Sequence, residues 1–205
     1  MFNNGNEANK TILPKGDDDC TAVNFNFSLS YYGNVYNRCC ISINGYISFD
    51  DMTNSYYPVE NFFIAPFDND LDSTKNGTIS YRKINDPQTL SLMGQEISSL
   101  YYLDTLNFIP TRAFIVTWDS VAPYEASISG NVSFQAILST NGSNSFLTIN
   151  YGKLDFGAEY GYYFQNGSTR ITISKTNPMF SSNVGVNGKW IYHLSNLLLL
   201  KIKIN

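Results

Sequence analysis

The sequence predicts a mainly β fold, an antiparallel β-sandwich-like domain with one amphipathic helix over about residues 87–101. Three observations carry that expectation. Apolar and polar residues alternate along one segment after another, which turns one face of a pleated strand inward and the other to water. Fifteen Tyr and fourteen Phe stand among abundant Asn, Ser, Thr and Gly, so side chains that fill a pleated surface alternate with turn formers. Only one stretch shows helical spacing.

Along the chain, residues 1–15 read as a polar lead-in, poorly ordered and outside the fold, followed by Asp17, Asp18 and Asp19. Val23, Phe25, Phe27 and Leu29 then alternate with Asn24, Asn26, Ser28 and Ser30, as a half-buried strand does. Cys39, Ile41, Ile43, Ile47 and Phe49 continue the alternation around Asn44-Gly45. That dipeptide is a hairpin signal, yet a straight run keeps the apolar parity and a two-residue turn does not. Both courses stay open.

Further strands are predicted over 62–67, 78–82, 113–118, 132–138, 146–151, 170–174 and 190–194. The fourth and fifth of these flank Asn141-Gly142-Ser143-Asn144, a strong hairpin signal. The exception is the stretch that opens on Asp86-Pro87, an N-cap followed by a proline that suits the first helical position. Leu90, Met93, Ile97 and Leu100 recur there at spacings of three and four, with Gly94 as a weak point. No repeat and no low-complexity linker divides the chain, which reads as one domain over 16–195 with a Leu-rich tail, 196–205, outside it.

Composition narrows the function. Hydrophobic residues make up 43% and charged residues 15%, enough apolar material to close a core. The net charge is -4 and the thirteen Lys and Arg are scattered. Binding to a phosphate backbone needs a basic patch, so nucleic acid is excluded as a partner. No run of eighteen apolar residues could span a bilayer as a helix. Met1 to Lys10 lacks the apolar core of a signal peptide, so the chain is expected either to be cytosolic or to lack its true N-terminus. The second is preferred. The cysteines are Cys20, Cys39 and Cys40. Neighbouring strand residues point to opposite faces and rarely bond to each other. A bridge from Cys20 to Cys39 or Cys40, with Cys20–Cys40 as the candidate, stands beside ordinary buried thiols.

Catalytic constellations are missing. The single histidine, His193, lies in the last apolar strand pattern, where an imidazole more often packs than abstracts protons. No nucleophile elbow, zinc-protease motif, phosphate-cradling loop or dinucleotide fingerprint occurs, and one His with three Cys lacks zinc-ligand spacing. The expectation is that the chain is not an enzyme and needs no cofactor. Asp68, Asp70 and Asp72 place carboxylates at alternate positions, as the opening of a Ca²⁺ loop does. Ser73 and Ile79 stand where such a loop needs Gly and Glu; a weak Ca²⁺ site is therefore weighed against a solvated turn. Sequons occur at Asn9, Asn26, Asn76, Asn131, Asn141 and Asn166, when about four arise by composition alone. They permit a secreted glycoprotein without proving one.

The order of the pieces says more than any of them. Phe27 to Gly33 with Tyr36 is followed by Ile41-Ser-Ile-Asn-Gly-Tyr-Ile-Ser-Phe49, then by Ile64-Ala-Pro-Phe67 running into Asp70 and Asp72. Gly77-Thr-Ile-Ser-Tyr-Arg82 precedes the helix, and Ala113-Phe-Ile-Val-Thr-Trp-Asp119 follows it. Phe134-Gln-Ala-Ile-Leu138, Thr140 to Phe146, Asn150-Tyr-Gly152 and Asn183 to Trp190 complete the series. Over residues 16–194 the chain resembles the NIDO domain, the extracellular domain family of nidogen, tectorin and membrane mucins. The resemblance implies an extracellular or cell-surface ectodomain, matrix or cell-surface protein partners, a link to cell–matrix adhesion or matrix assembly, and no catalytic residues to carry over.

Within the series, Trp118, Trp190 and Phe49 read as core anchors, Gly45, Gly77, Gly142 and Gly188 as turn or close-approach positions, and Pro66 as a strand end or edge. The alternative function is a carbohydrate-binding β-sandwich. It is suggested by the doublets Tyr31-Tyr32, Tyr56-Tyr57, Tyr101-Tyr102 and Tyr162-Tyr163, since aromatic faces stack on sugar rings, although a strand turns only one of each pair outward.

Overall fold

The computed structural model of the chain describes residues 9–49, 62–100 and 107–195. Two antiparallel sheets face each other across one core. The strands are β1 (Thr11–Ile12), β2 (Cys20–Tyr31), β3 (Asn34–Ser42), β4 (Ile47–Ser48), β5 (Phe62–Asp68), β6 (Leu71–Asp72) and β7 (Thr78–Ile84). After the helix α1 (Pro87–Leu100) come β8 (Arg112–Pro123), β9 (Val132–Thr140), β10 (Ser145–Leu154), β11 (Gly161–Asn166), β12 (Thr169–Ser174) and β13 (Lys189–His193). The first sheet runs β1-β7-β8-β9-β10-β13, with β6 appended to β8; the second runs β12-β11-β5-β4-β3-β2.

The alternation read from the sequence becomes the inner face of this sandwich. Val23, Phe25 and Leu29 of β2 meet Phe114, Val116 and Trp118 of β8 and Phe134 and Leu138 of β9 in one buried cluster. Trp118 stacks on Phe134, with ring centroids 4.7 Å apart, and its indole N–H donates to Ser42 O across the gap at 3.0 Å. Tyr151 OH, buried in β10, donates to Pro66 O of the opposite sheet at 2.7 Å. A buried hydroxyl or indole N–H left without a partner costs about 1–3 kcal/mol, so these two bonds also fix how the sheets face each other.

Asn44-Gly45 does turn the chain. Ile41 pairs with Ile47 and Cys40 with Ser48, and Ser42 N donates to Tyr46 O. The reversal is longer than two residues, which is how it preserves the apolar parity. Gly45 has φ +83° and stands where a Cβ would come within 1.9 Å of Phe67 O.

Three features depart from the sequence reading. The lead-in enters the fold before residue 16: Thr11 and Ile12 pair with Tyr81 and Ser80, and Leu13 is buried in the core. Two paired residues are too short for a periodic signal. Pro66 is neither at an edge nor at an end but inside β5, a central strand. It is tolerated because the β11 ladder slips there, from Gly161↔Asp68 to Tyr163↔Ala65, while β4 pairs only with Phe63 and Ile64. A proline at a bulge removes no ladder bond. Finally, β11 was missed. Tyr162 and Phe164 face the core and Tyr163 joins Tyr46, Phe63 and Ala65 in a buried cluster of its own, so both faces are apolar and no alternation shows.

The helix packs on the far side of the first sheet and adds a third layer. Leu90 and Met93 cluster with Ala113, Ile115 and Ile137, and Ile97 with Phe108, Phe146, Val184 and Ile191. Asp86 caps it, its carboxylate accepting Thr89 N at 2.8 Å; that bond and the side-chain bond to Thr89 hold Asp86 below the usual carboxylate range.

Candidate interaction surface

The helix divides the outer face of the first sheet. Arg82, Ile115, Ile137, Thr148 and Ile191 form one cross-strand row, whose three isoleucines lie under the helix. Two residues along each strand runs a parallel row of Ser80, Thr117, Gln135, Asn150 and Lys189. Its members are joined side by side: Asn150 Nδ2 donates to Gln135 Oε1 at 3.3 Å, and Gln135 Nε2 to Thr117 Oγ1 at 2.9 Å. At its end Lys189 is ion-paired with Glu96 of the helix. A pocket of about 250 Å³ opens there between Glu96, Asn150, Val186 and Lys189. The Gln135 and Asn150 side chains are buried and brace the sheet, while the ion pair and the pocket at the row's end can hydrogen-bond a polar partner; the row offers no nucleophile with an adjacent base.

The acidic residues do not form the set expected from their spacing. Asp68 is buried and faces away from the others, accepting Tyr163 OH on Oδ2 at 2.5 Å. The guanidinium of Arg170 lies 3.3 Å from the Tyr163 ring centroid. Burial pushes Asp68 up to about 6, although the Tyr163 bond and Arg170 pull the other way. Asp72 is engaged by Thr74, through the backbone N–H at 2.8 Å and the hydroxyl at 2.5 Å, and by Lys75 at 3.7 Å. Burial works against its ionised form, but those bonds hold Asp72 below the usual range.

Among the described residues, Asp70 instead converges with Asp17 and Asp18, ligand oxygens lying within 4.8 Å of one another. The Asp68–Asp70–Asp72 expectation is therefore corrected. Alternate strand residues diverge, and the chain brings Asp17 and Asp18 in from a distant turn whose course Asn44 fixes, donating to Asp18 Oδ1 and accepting Leu71 N. Burial first, then the neighbouring Asp18, Asp70 and Asp72, push Asp17 up to about 6. Three carboxylates are a fraction of the six to eight oxygens that Ca²⁺ takes; the proximity of the three is an electrostatic cost before it is a site.

The other singled-out residues have structural duties. His193 Nε2 lies 2.9 Å from Asn144 Oδ1 and its ring packs on Phe146; burial lowers its pKa, which keeps it neutral. Trp118, Trp190 and Phe49 are all buried, and Trp190 Nε1 donates to Pro178 O. Cys20 is disulfide-bonded to Cys40, with Cα atoms 5.7 Å apart, while Cys39 points into the core, where burial pushes its thiol up. Asn9, Asn26 and Asn76 are exposed, and Asn131, Asn141 and Asn166 half-buried. Asn141 is spoken for on one side, its Oδ1 accepting Ser143 N and Asn144 N. Of the tyrosine doublets, Tyr31, Tyr32, Tyr162 and Tyr163 are all buried, so none can stack on a sugar; the other two doublets lie outside the described residues.

A family model described as Nidogen-like domain, NIDO, matches residues 37–196. The chain belongs to the NIDO family. Nidogen-2 of Mus musculus is 26% identical over 98% of this chain, and alpha-tectorin of Mus musculus 32% identical over 72% of it. Dendrite extension defective protein 1 of Caenorhabditis elegans is 26% identical over 99%. The chain spans 17%, 7% and 19% of those three proteins, so it corresponds to one module of each. No solved structure matches the chain. The NIDO match begins within β3, leaving β1 and β2 before it, although β2 is an edge strand of the second sheet. Sequence reasoning missed the Glu96–Lys189 ion pair at the pocket and the buried Gln135–Asn150 bond beside it, because only helix packing and cross-strand register bring these residues together.

Proposed function

We propose that this NIDO domain is an extracellular, non-catalytic interaction module that contributes to cell–matrix adhesion or matrix assembly through protein contacts. Membership of the family over residues 37–196 carries the reading. Two features of the chain support the extracellular setting. The Cys20–Cys40 bond belongs to an oxidising compartment, and Asn26 offers a sequon at an exposed position. The pocket beside the Glu96–Lys189 ion pair, with Val186 exposed at its rim, is the surface best suited to a protein partner, since groups already held in place lose little entropy on binding. Calcium is not required by this reading.

The test is binding of the folded domain, produced in secreting cells, to decellularised matrix. Retention that a Val186→Asp variant, at an exposed residue of the pocket rim, reduces while keeping the wild-type melting temperature supports the reading. Absence of retention by well-folded wild type overturns it. Mass analysis before and after enzymatic deglycosylation reports whether Asn26 is occupied.

A further inference from the structure

Asparagine followed by glycine is where a main chain reacts most readily with its own side chain. The glycine nitrogen attacks the asparagine Cγ, and no Cβ on the glycine stands in the way. The step needs a glycine N–H not already spent on an acceptor, an asparagine amide able to swing over it, and room for the peptide to turn. Six Asn–Gly pairs occur in the chain, and five lie among the described residues.

The fold withholds these conditions from four of the five. Asn44 is buried and tied at both ends of its amide, Nδ2 donating to Asp18 Oδ1 and Oδ1 accepting Leu71 N. Asn76 Nδ2 donates to Ser120 O, and Gly77 is wedged on the same main chain, where a Cβ would come within 2.4 Å of Ser120 O. Asn141 Oδ1 accepts Ser143 N and Asn144 N, and Gly142 N donates to Thr140 Oγ1 at 3.1 Å. Asn187 is exposed, but Gly188 N donates to Ser181 O at 3.0 Å.

Asn166–Gly167 differs on every count. The pair opens the turn of the β11–β12 hairpin, where Asn166 faces Thr169. Among the described residues neither the Asn166 side chain nor Gly167 N has a hydrogen-bond partner. Gly167 has φ +56°, and no atom lies within 4 Å of the place its Cβ would take. Gln165 Nε2 donates to Gly167 O at 3.0 Å, which occupies the carbonyl side of the turn and leaves the nitrogen side open.

We propose that Asn166–Gly167 is a self-modification site, where the folded domain slowly converts Asn166 to aspartate and isoaspartate. The Gly167 nitrogen gives up its proton and bonds to Asn166 Cγ, the Cγ–Nδ2 bond breaks, and ammonia leaves with that proton. Water then opens the succinimide ring. Cleavage at Cγ restores the main chain and leaves aspartate. Cleavage at the main-chain carbonyl leaves isoaspartate, whose main chain is a methylene longer. Water is the only co-reactant, and nothing is oxidised or reduced. Both products put a carboxylate at the turn, and isoaspartate also lengthens the chain at the Asn166↔Thr169 pair that closes the hairpin of β12, an edge strand. The site is independent of the proposed matrix role.

Asn166 Nδ2 is also the glycan acceptor of the sequon Asn166-Gly167-Ser168, so the chain to test is the full chain exported to a bacterial periplasm, which oxidises thiols and adds no glycan there. Peptide mapping that separates isoaspartate follows the five pairs at mildly alkaline pH, in the folded chain and in the same chain unfolded in urea. Folded Asn166 is expected to convert severalfold faster than Asn44, Asn76, Asn141 and Asn187, and unfolding is expected to speed those four far more than Asn166. Folded Asn166 converting no faster than any one of the other four overturns the proposal. Conversion of Asn166 that waits for unfolding overturns it equally.

Discussion

Asp68 shows how one residue can carry two opposed tendencies. Its carboxylate is buried under the second sheet's outer cluster yet accepts a short bond from Tyr163, and burial wins, raising it to about 6. A group whose pKa is raised on folding stabilises most when protonated. Its contribution is complete below the unfolded value near 4 and is lost as pH rises through about 6. The loss is roughly 3 kcal/mol at neutral pH. Asp68→Asn keeps an acceptor for Tyr163 OH and removes the titration. The expected outcome is a flatter dependence of unfolding free energy on pH between 4 and 6 than in wild type, read by denaturant melts across that window. Gly45 is the second residue on which local geometry hinges. Gly45→Ala combines a left-handed φ with a Cβ driven into Phe67 O, and should cost more than about 2 kcal/mol, measured by the same melts.

At the scale of the element, α1 illustrates how intrinsic preference and packing disagree. An interior helical glycine costs about 1 kcal/mol relative to alanine, so helix propensity alone makes Gly94→Ala stabilising. In the fold, a Cβ at Gly94 would lie 2.7 Å from Phe108 O and 2.8 Å from Pro110 Cδ. The glycine lets the returning chain run close to the helix. Gly94→Ala is therefore expected to lower the melting temperature, by roughly 4–8 °C for each kcal/mol lost in a small domain and less in one this long. Calorimetry that found a rise would show that residues 108–110 yield. The helix itself was legible from Asp86-Pro87 and from apolar residues three and four apart, because those signals depend on near neighbours. Strand β11 was not, since what makes it a strand is being covered on both faces by residues far away in sequence.

At the scale of the whole molecule, the two sheets are tied by a large aromatic core, while the disulfide ties β2 to β3 within one sheet. Cys20 and Cys40 lie 20 residues apart, and closing a loop of that size stabilises by about 2–4 kcal/mol. The double variant Cys20→Ser/Cys40→Ser should lose that amount and remain folded, since neither serine is needed by the inner core. Alkylation of native wild type should label no thiol, and Cys39 should react only after unfolding, because its side chain is fully buried and its thiolate disfavoured. Labelling of the native protein at Cys39 would mean that β3 opens on its own.

The sequence by itself determined the class of fold, most strand positions, the helix with its cap, and the ordered series of motifs that led to the NIDO family. All of these are written in nearest-neighbour terms or in the order of the chain. Tertiary structure alone decided the rest. It seated Pro66 in a bulge of a central strand, gathered Asp17 and Asp18 beside Asp70 while sending Asp68 and Asp72 elsewhere, buried the tyrosines that suggested sugar binding, and aligned Gln135 with Asn150. The physical reason is the same each time: register and the pairing of distant strands determine which side chains share a face, and no local pattern encodes them.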